Sequence, residues 1–353
     1  MKKSKILALV LAVCLAVSML TACSTPAESE SAKTPESKTE STAPASSEVA
    51  EVEKWDPKQD ITIRIPVGAG GSFDLAARIF GQCLQKNFDA TVLVTNLTGA
   101  AGSVALADLN QYDPNAAEMM GGNIGMFTVA PLFTPDLGMK LEDFEIITSL
   151  ASDEFMICSS PENSGVKTWE DLKELSKTKR ILVSSDAPGS TSHALITAIF
   201  AEAGITDYDI ISKDAGVPRL AANVAGDTDV TIVPDAIIKQ YVQEGTIYPI
   251  LTFSAENSQA FKDEGIEVPS AKSLGHDYVF RTNNFIMVRK GADTEATKQI
   301  FAAYQEWQDT DEFKTAMKDA NLIPYTFNGE ETAKEIQAAA DMFKEIYETY
   351  YKK

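Results

Sequence analysis

The stretch Ile61-Thr-Ile-Arg-Ile-Pro-Val-Gly-Ala-Gly-Gly-Ser-Phe-Asp74 joins a β-rich run to a helical one through a turn that holds three glycines. Its first five residues alternate like a strand, and apolar side chains recur near one face of a helix from Asp74 to Lys86. Glycines at such a turn let backbone N–H groups point at a ligand beside the helix N-terminus, a geometry that binds anions. Ser72 and Asp74 also suit capping of that helix, so a purely structural turn is the alternative.

The alternation of strand and helix continues along the chain. Strands are predicted at 61–66, 91–95, 118–123, 144–148, 155–159, 181–185, 209–212, 230–233, 248–253 and 285–288. Helices are predicted at 74–86, 103–110, 168–177, 192–203, 217–226 and 235–244, followed by a helical tail at 294–308, 310–320 and 329–350. Strands that alternate with helices predict an α/β protein with parallel sheets and helices on both faces.

Two further polar turns with glycines follow predicted strands, at Asn96–Ser103 and Ser184–His193. The first turn, Pro66–Asp74, lacks the Gly-Lys-Ser/Thr ending of a nucleotide phosphate loop, so ATP is not an expected ligand. Three such turns predict one crevice at the carboxyl ends of two sheets, with a small anionic ligand. We expect local N–H groups and helix dipoles to attract that ligand.

The N-terminus has the pattern of a bacterial lipoprotein signal. Three lysines precede an apolar run from Ile6 to Leu20, and Leu20-Thr-Ala-Cys23 ends it. This predicts a signal peptide at 1–22 and a lipid on Cys23. The alternatives are a transmembrane helix, which needs about 20 apolar residues, and a cleaved signal without lipid.

Residues 24–54 consist mostly of Ser, Thr, Ala, Pro, Glu and Lys. Such a segment cannot bury enough apolar surface to offset the entropy of ordering, so 23–54 is predicted to be a lipidated cysteine followed by a disordered tether. The protein is therefore expected outside the cytoplasm, anchored to the cell membrane by its lipid.

The remaining 300 or so residues suffice for two domains. Removal of 1–22 takes away three lysines and no acidic residue, so 28 basic side chains face 51 acidic ones and the formal charge falls from −20 to −23. Nucleic acid is therefore not an expected partner, because phosphate binding needs a basic surface.

Cysteine and histidine are too few for a predicted metal site. The body keeps Cys83 and Cys158, which are expected to be buried core residues, with a disulfide between them as the alternative. The two histidines are His193 and His276, and none of these side chains stands at metal-ligand spacing.

His193 lies close to several serines, which raises the possibility of a hydrolase. A serine nucleophile requires a strained elbow and a base oriented by a carboxylate, and neither is visible in the sequence. We therefore expect His193 to donate a hydrogen bond to a loop carbonyl or to ligand, and no catalytic residue is predicted. Asp235 follows the strand at 230–233 and either contacts ligand or caps the next helix.

At these turns the chain resembles the extracytoplasmic solute receptors of tripartite tricarboxylate transporters. Pro66–Asp74 fits the family pattern of Pro, three variable residues, Gly-Gly, two variable residues and Asp. Asn96–Gly102 fits its Asn-x-Pro-Gly-Ala-Gly-Gly segment, except that Thr98 replaces the proline and Ala101 replaces a glycine. Gly189-Ser-Thr-Ser-His193 fits its serine-rich turn, and the resemblance extends with gaps from about residue 60 to the C-terminus.

The resemblance implies a two-lobed type II periplasmic-binding-protein fold, in which each lobe is a mixed sheet flanked by helices and the C-terminal tail is helical. Lobe 1 would comprise 56–154 plus 276–353, and lobe 2 would comprise 155–275. In the family, main-chain N–H and hydroxyl groups of two turns hold the ligand carboxylate. The matching residues are Ala69, Gly70, Ser72, Phe73, Asp74, Ser185, Ser190, Thr191 and His193. Asn123, at the end of the strand at 118–123, is a further candidate for the pocket wall.

The implied function is capture of a small carboxylate, without chemistry or cofactor, by a monomeric receptor that delivers it to membrane permease subunits. Hinge closure about strands near 144–150 and 284–288 would bury the ligand. A lipoprotein that senses the solute and signals to a membrane kinase is the alternative, with an extracytoplasmic hydrolase as a weaker one.

Overall fold

The computed structural model describes residues 53–213 and 215–352. The predicted signal peptide, the lipid acceptor Cys23 and the tether up to residue 52 lie outside the described residues. Glu53–Lys353 form one compact unit. No helix of the described residues is long and apolar enough to cross a membrane.

All ten predicted strands form, within one or two residues at most ends. They are β1 Ile61–Ile65, β2 Val92–Asn96, β3 Glu118–Asn123, β4 Phe144–Ala151, β5 Phe155–Ser159, β6 Ile181–Ser185, β7 Tyr208–Ser212, β8 Val230–Pro234, β9 Tyr248–Thr252 and β10 Asn284–Arg289. The first sheet has the order β2-β1-β3-β10-β4, and the second has the order β7-β6-β8-β5-β9.

Both sheets are mixed. β1 runs parallel to β2 and β3, and β6 runs parallel to β7 and β8. β10 is antiparallel to β3 and β4, and β5 is antiparallel to β8 and β9. The prediction of parallel sheets is therefore wrong for β10 and β5. Each of these strands enters its sheet from the other sheet, without the crossover helix that makes two strands of one sheet parallel.

The predicted helices form as well, and three short ones were not predicted. The helices are α1 Ser72–Phe88, α2 Ser103–Leu109, α3 Ile124–Thr128, α4 Ala130–Phe133, α5 Pro161–Ser164, α6 Trp169–Ser176, α7 Thr191–Glu202, α8 Gly216–Val224, α9 Lys239–Gln243, α10 Thr294–Gln308, α11 Asp311–Asp319 and α12 Gly329–Tyr350. The unpredicted ones, α3, α4 and α5, are each only four or five residues long. The helix predicted at 235–244 begins instead as a 3₁₀ turn at Asp235–Ile237.

The two sheets share an apolar core. One cluster of buried side chains includes Met120 and Phe285 of the first sheet, Ile157 and Val183 of the second, and Phe343 of α12. α12 contacts β4 and α3 as well as α7. The predicted helical tail is therefore confirmed, and its last helix packs on elements next to both sheets.

The chain passes between the sheets beside the strands that were expected to cross. β4 and β10 pair with each other inside the first sheet. The outward connection is Ser152–Glu154, directly after β4, and the return connection reaches β10 through Arg281–Asn283. The two connections lie side by side, because the Thr282 N–H donates to the carbonyl of Asp153 at 3.0 Å.

Cys83 and Cys158 are both free and buried. They belong to separate apolar clusters, one under α1 and one under α8 and α9. Burial raises the pKa of the Cys83 thiol to about 12. The disulfide alternative is therefore wrong, and the expectation of two core cysteines is confirmed.

β1 places the charged side chain of Arg64 in the core, close to the turn that joins β1 to α1. Arg64 is 1% exposed, and its Nη1 donates to Glu118 Oε2 of β3 at 2.7 Å. Its Nε donates to Asp108 of α2, and its guanidinium lies over the ring of Tyr112. Removal of one partner of such a buried pair is costly, because it leaves charge without compensation.

We expect Glu118→Gln to lower the free energy of unfolding by about 1.5–3 kcal/mol, the usual contribution of a hydrogen bond to a charged group. Glu170→Gln is the matched control, since Glu170 pairs with Lys173 on the surface and such pairs contribute about 0–1 kcal/mol. Urea denaturation of both variants at neutral pH measures the difference. Equal losses in the two variants would contradict a buried ionic network at β1.

Candidate functional site

Loops and helix starts at the carboxyl ends of the two sheets lie against each other. We call residues 66–71, between β1 and α1, the first turn, and residues 186–190, between β6 and α7, the serine turn. A β-carbon on Gly68 of the first turn would lie 3.8 Å from Cβ of Ala215, just before α8. A β-carbon on Gly125 of α3 would overlap Oγ1 of Thr191, the first residue of α7. The structure thus brings the predicted pocket elements of both sheets together.

Asp74, in the first turn of helix α1, bonds to groups within the protein. Its carboxylate accepts hydrogen bonds from the Gly70 N–H and from Asn96 Nδ2, both at 2.9 Å, and pairs with Arg78. Burial would raise the pKa of Asp74, but these hydrogen bonds outweigh burial and lower it. Asp74 therefore holds the first turn in shape as an ionised group.

The Ser72 side chain also makes a hydrogen bond within the protein, and the Phe73 side chain is buried. The Ser72 hydroxyl donates to Asp153 Oδ2 at 2.6 Å, and Phe73 packs against Gly121 of β3. Ala69 and Gly70 are exposed. Gly71, the N-cap of α1, has no side chain with which to cap the helix. The first N–H groups of α1 lack intrahelical acceptors, as in any helix, so they remain available to an anion.

Asn123 and Thr191 meet at the junction of the sheets. The Asn123 side chain caps α3 by accepting from the Met126 N–H at 3.2 Å. Its Oδ1 and the Thr191 side chain both lie within 4 Å of the β-carbon position of Gly125. A glycine at 125 is therefore needed for this close approach.

The serines of the second sheet form a chain of hydrogen bonds. Ser185 Oγ donates to Ser192 Oγ at 3.0 Å, and Ser192 Oγ donates to Asp186 Oδ2 at 2.8 Å. Ser190 caps α7 by accepting from the His193 N–H at 3.2 Å. Ser185 and Ser192 are fully buried, so their hydroxyls organise the serine turn from below.

His193 faces the C-terminal helix. The Tyr351 hydroxyl lies 2.8 Å from His193 Nδ1 and donates to Thr197 Oγ1 at 2.6 Å. Burial lowers the pKa of His193. Phe133 of α4 packs edge-on against Tyr351 and lies 3.0 Å from the β-carbon position of Gly189. His193 therefore links the start of α7 to the end of α12 through its Nδ1.

Asp235 anchors the outward connection. Its Oδ1 accepts from the Glu154 N–H at 3.0 Å, and its own N–H donates to the Glu154 carbonyl at 2.9 Å. Burial, with the nearby charges of Asp153 and Glu154, raises the pKa of Asp235 to about 7. Its side chain caps no helix.

Sequence reasoning missed Asp153, Asp186 and Arg219. Burial raises the pKa of Asp153, which is 1% exposed. Nothing in the polar run between β4 and β5 distinguishes a buried acid from a loop residue. Arg219 stands alone in the otherwise uncharged segment Gly216–Val224. A lone charge there is a signal of a buried partner, and Arg219 does pair with Asp186 of the serine turn.

Two surface cavities lie away from these turns. One of about 310 Å³ is lined by residues that include Asn110, Phe144 and Arg289, and one of about 470 Å³ lies along 255–273. Neither cavity is lined by a predicted ligand residue. Among the described residues no group of three metal-ligating side chains gathers.

Comparisons with known proteins agree on a family. A family model described as "Tripartite tricarboxylate transporter family receptor" matches residues 76–350. The chain is 32% identical over 143 residues to a UPF0065 protein of Agrobacterium vitis from the TAR-I ttuE-ttuC' intergenic region, a match that spans 40% of this chain and 41% of that protein.

Solved structures show the same fold. The structure of MatC from Rhodopseudomonas palustris with bound malate matches with a TM-score of 0.71 and 17% identity, over 82% of this chain and 99% of that one. A second R. palustris protein, solved with adipate, matches with a TM-score of 0.74 and 16% identity, over 83% and 98% of the two chains. The predicted fold, with two mixed sheets flanked by helices, is confirmed.

The raised pKa of Asp235 gives the stability of the protein a pH dependence. The folded state holds this proton up to about pH 7, whereas an unfolded Asp releases it near pH 4. The folded state therefore binds more protons between these values, and stability falls as pH rises through that window, by up to about 4 kcal/mol. Asp235→Asn removes this loss, so the stability of the variant relative to the unaltered protein should improve from pH 5 to pH 8.

Urea denaturation at pH 5, 6.5 and 8 measures this change. Asp171→Asn is the control: hydrogen bonds from the Lys167 N–H and Thr168 lower the pKa of Asp171, so its contribution is constant over this range and is lost only in more acidic solution. If the stability difference between Asp235→Asn and the unaltered protein did not vary with pH, Asp235 would be ionised throughout.

Proposed function

Because the chain belongs to the receptor family of tripartite tricarboxylate transporters, we propose that it is a lipid-anchored extracytoplasmic receptor for a small carboxylate. It binds this ligand between lobe 1, residues 56–154 plus 276–353, and lobe 2, residues 155–275. It then delivers the ligand to the membrane permease subunits of such a transporter. It acts as a monomer and carries out no chemistry.

The observation that carries this proposal is the meeting of the first turn and the start of α3 with the starts of α7 and α8. In this arrangement Ala215, just before α8, lies against Gly68, three residues before Gly71, the N-cap of α1, which makes no side-chain capping hydrogen bond. A helix N-terminus supplies N–H donors and a partial positive charge, which suit a carboxylate even on an acidic protein. The similar structures that contain malate and adipate support the same ligand class.

The proposed contacts are mostly main-chain. Four of the predicted ligand residues already make internal hydrogen bonds with their side chains. They are Ser72, Asp74, Ser185 and Asp235. The ligand would therefore meet N–H groups of Ala69 and of the first residues of α1 and α7. Ser190, Thr191, His193 and Asn123 would form the walls around it.

A binding role also agrees with the surroundings of His193. A hydrolase would need a carboxylate to orient the imidazole, whereas Nδ1 of His193 meets the Tyr351 hydroxyl. The extracytoplasmic location and the membrane anchor rest on the lipoprotein signal that ends at Cys23. That anchor would keep the receptor within reach of its permease.

A thermal-shift screen of the full-length protein in detergent tests the ligand class. We expect a rise in Tm with at least one di- or tricarboxylate, because a ligand at a hundredfold excess over its Kd adds about 2.7 kcal/mol to stability. Acidic amino acids, aromatic acids and sugars serve as comparison sets. A shift confined to sugars, or no shift with any carboxylate, would contradict a carboxylate receptor.

Gly125→Ala tests whether the ligand site lies between the lobes. The added methyl group would overlap Oγ1 of Thr191, so the lobes could not approach fully, and we expect the Kd of the carboxylate found in the screen to rise at least about tenfold, or 1.4 kcal/mol. Thr191→Ala removes that oxygen, so the double variant should recover part of the affinity lost by Gly125→Ala.

Calorimetric titration of both single variants and the double variant completes this cycle. Alanine suits a helix better than glycine, so Gly125→Ala should keep its helical signal in circular dichroism. Additive losses, with no recovery in the double variant, would mean that Gly125 and Thr191 do not meet in the ligand-bound protein.

A further inference from the structure

One ion pair lies directly under the serine turn. Arg219 of α8 pairs through Nη1 with Oδ2 of Asp186, the first residue after β6. The same Nη1 donates to Ser192 Oγ at 3.3 Å, and the Asp186 N–H donates to that oxygen at 3.2 Å. Because Ala215, just before α8, lies against Gly68 of the first turn, this pair stands beside the proposed ligand crevice.

The two partners differ in their freedom to move. The Arg219 side chain is 5% exposed, whereas that of Asp186 is 29% exposed. The Arg219 carbonyl accepts from the buried Ser184 hydroxyl at 3.0 Å, which ties α8 to β6. Asp186 belongs to a turn that contains Gly189 in a left-handed conformation, with φ of +86°. The Asp186 side chain therefore lies nearer to solvent than that of Arg219.

The hydrogen bond to Asp186 does not use all the donors of the Arg219 guanidinium. Nε of Arg219 is buried and has no acceptor among the described residues. A guanidinium holds a carboxylate best through two parallel N–H donors. The contact with Asp186 uses Nη1 alone, so a better-placed carboxylate could compete with it.

We propose that Arg219 is a specificity-determining residue of the receptor and selects dicarboxylates. One carboxylate of the ligand binds at the N-terminus of α1, and the other displaces Asp186 from Arg219 while Asp186 turns into solvent. This inference rests on the proposed function and adds to it the number of charges on the ligand.

The exchange explains why a second charge on the ligand matters. With Asp186 in place the pair is neutral, so a ligand with one carboxylate gains nothing from Arg219. A second carboxylate replaces one buried ion pair with another, so Arg219 is never left without a partner. A ligand that ends in a neutral amide would leave the Asp186 pair intact or strand the arginine.

The test compares unbranched dicarboxylates of four to seven carbons with their monoamides, titrated calorimetrically into the full-length protein in detergent. We expect at least one dicarboxylate to bind about tenfold or more tightly than its monoamide. Arg219→Met with Asp186→Asn removes both charges and keeps the side-chain volumes. In this double variant the dicarboxylate should weaken at least about tenfold, while the monoamide changes less than about threefold.

Asp186→Asn alone removes the competing carboxylate and keeps Arg219. It should tighten dicarboxylate binding by about three- to tenfold. Arg180→Met with Asp207→Asn is the matched control, because that pair lies on the surface at the opposite end of β6 and should leave all affinities unchanged. Circular dichroism establishes folding, and if the Arg219 double variant does not fold, the direction of the Asp186→Asn effect decides.

Failure of this inference and failure of the proposed function give different results. If carboxylates bind but the dicarboxylate preference is absent or survives in the Arg219 double variant, Arg219 is not the selecting group, and the receptor proposal stands. Weaker dicarboxylate binding in Asp186→Asn would overturn the exchange in the same way. If no carboxylate binds the unaltered protein, the proposed function fails and this inference fails with it.

Discussion

The carboxyl group of Asp153 joins three segments that are distant in the sequence. It lies in the outward connection between the sheets, accepts the Ser72 hydroxyl from the start of α1, and contacts Thr282 of the return connection. Because Asp153 is 1% exposed, it cannot exchange these partners for water without a large cost. This buried acid ties the start of α1 to both connections between the sheets.

The neighbouring residue extends the same constraint. Glu154 exchanges two hydrogen bonds with Asp235 at the end of β8, and it lies 3.8 Å from Arg281 of the return connection. The carboxyl ends of β1 and β8 are thereby held at a common junction. The connections bear polar side chains with fixed partners.

The proposed site would recognise its ligand mainly through backbone groups. The polar side chains nearest the crevice are engaged in holding the turns, as Asp74 does for the first turn and Ser192 for the serine turn. Main-chain N–H groups and helix termini then supply the attraction for an anion. The exception is Arg219, a buried cation that forms an ion pair with the carboxylate of Asp186.

The sequence predicted the secondary structure well and the sheet directions less well. Local patterns such as Ile61–Ile65 and Thr294–Gln308 set strand and helix, because periodicity and capping act over a few residues. The antiparallel direction of β10 depends on a long return from β9. No local sequence pattern predicts the direction in which the chain enters β10 after that return.

For the site, the sequence by itself determined which turns carry glycines and polar residues, and so where an anion can approach the backbone. Only the tertiary structure decided which side chains remain free. Ser72 and Asp235 looked like ligand contacts and became internal partners, whereas Asp153 and Arg219 looked unremarkable and became central. The physical reason is burial: whether a polar group must find a partner inside the protein depends on what packs over it, and that packing comes from segments far along the chain.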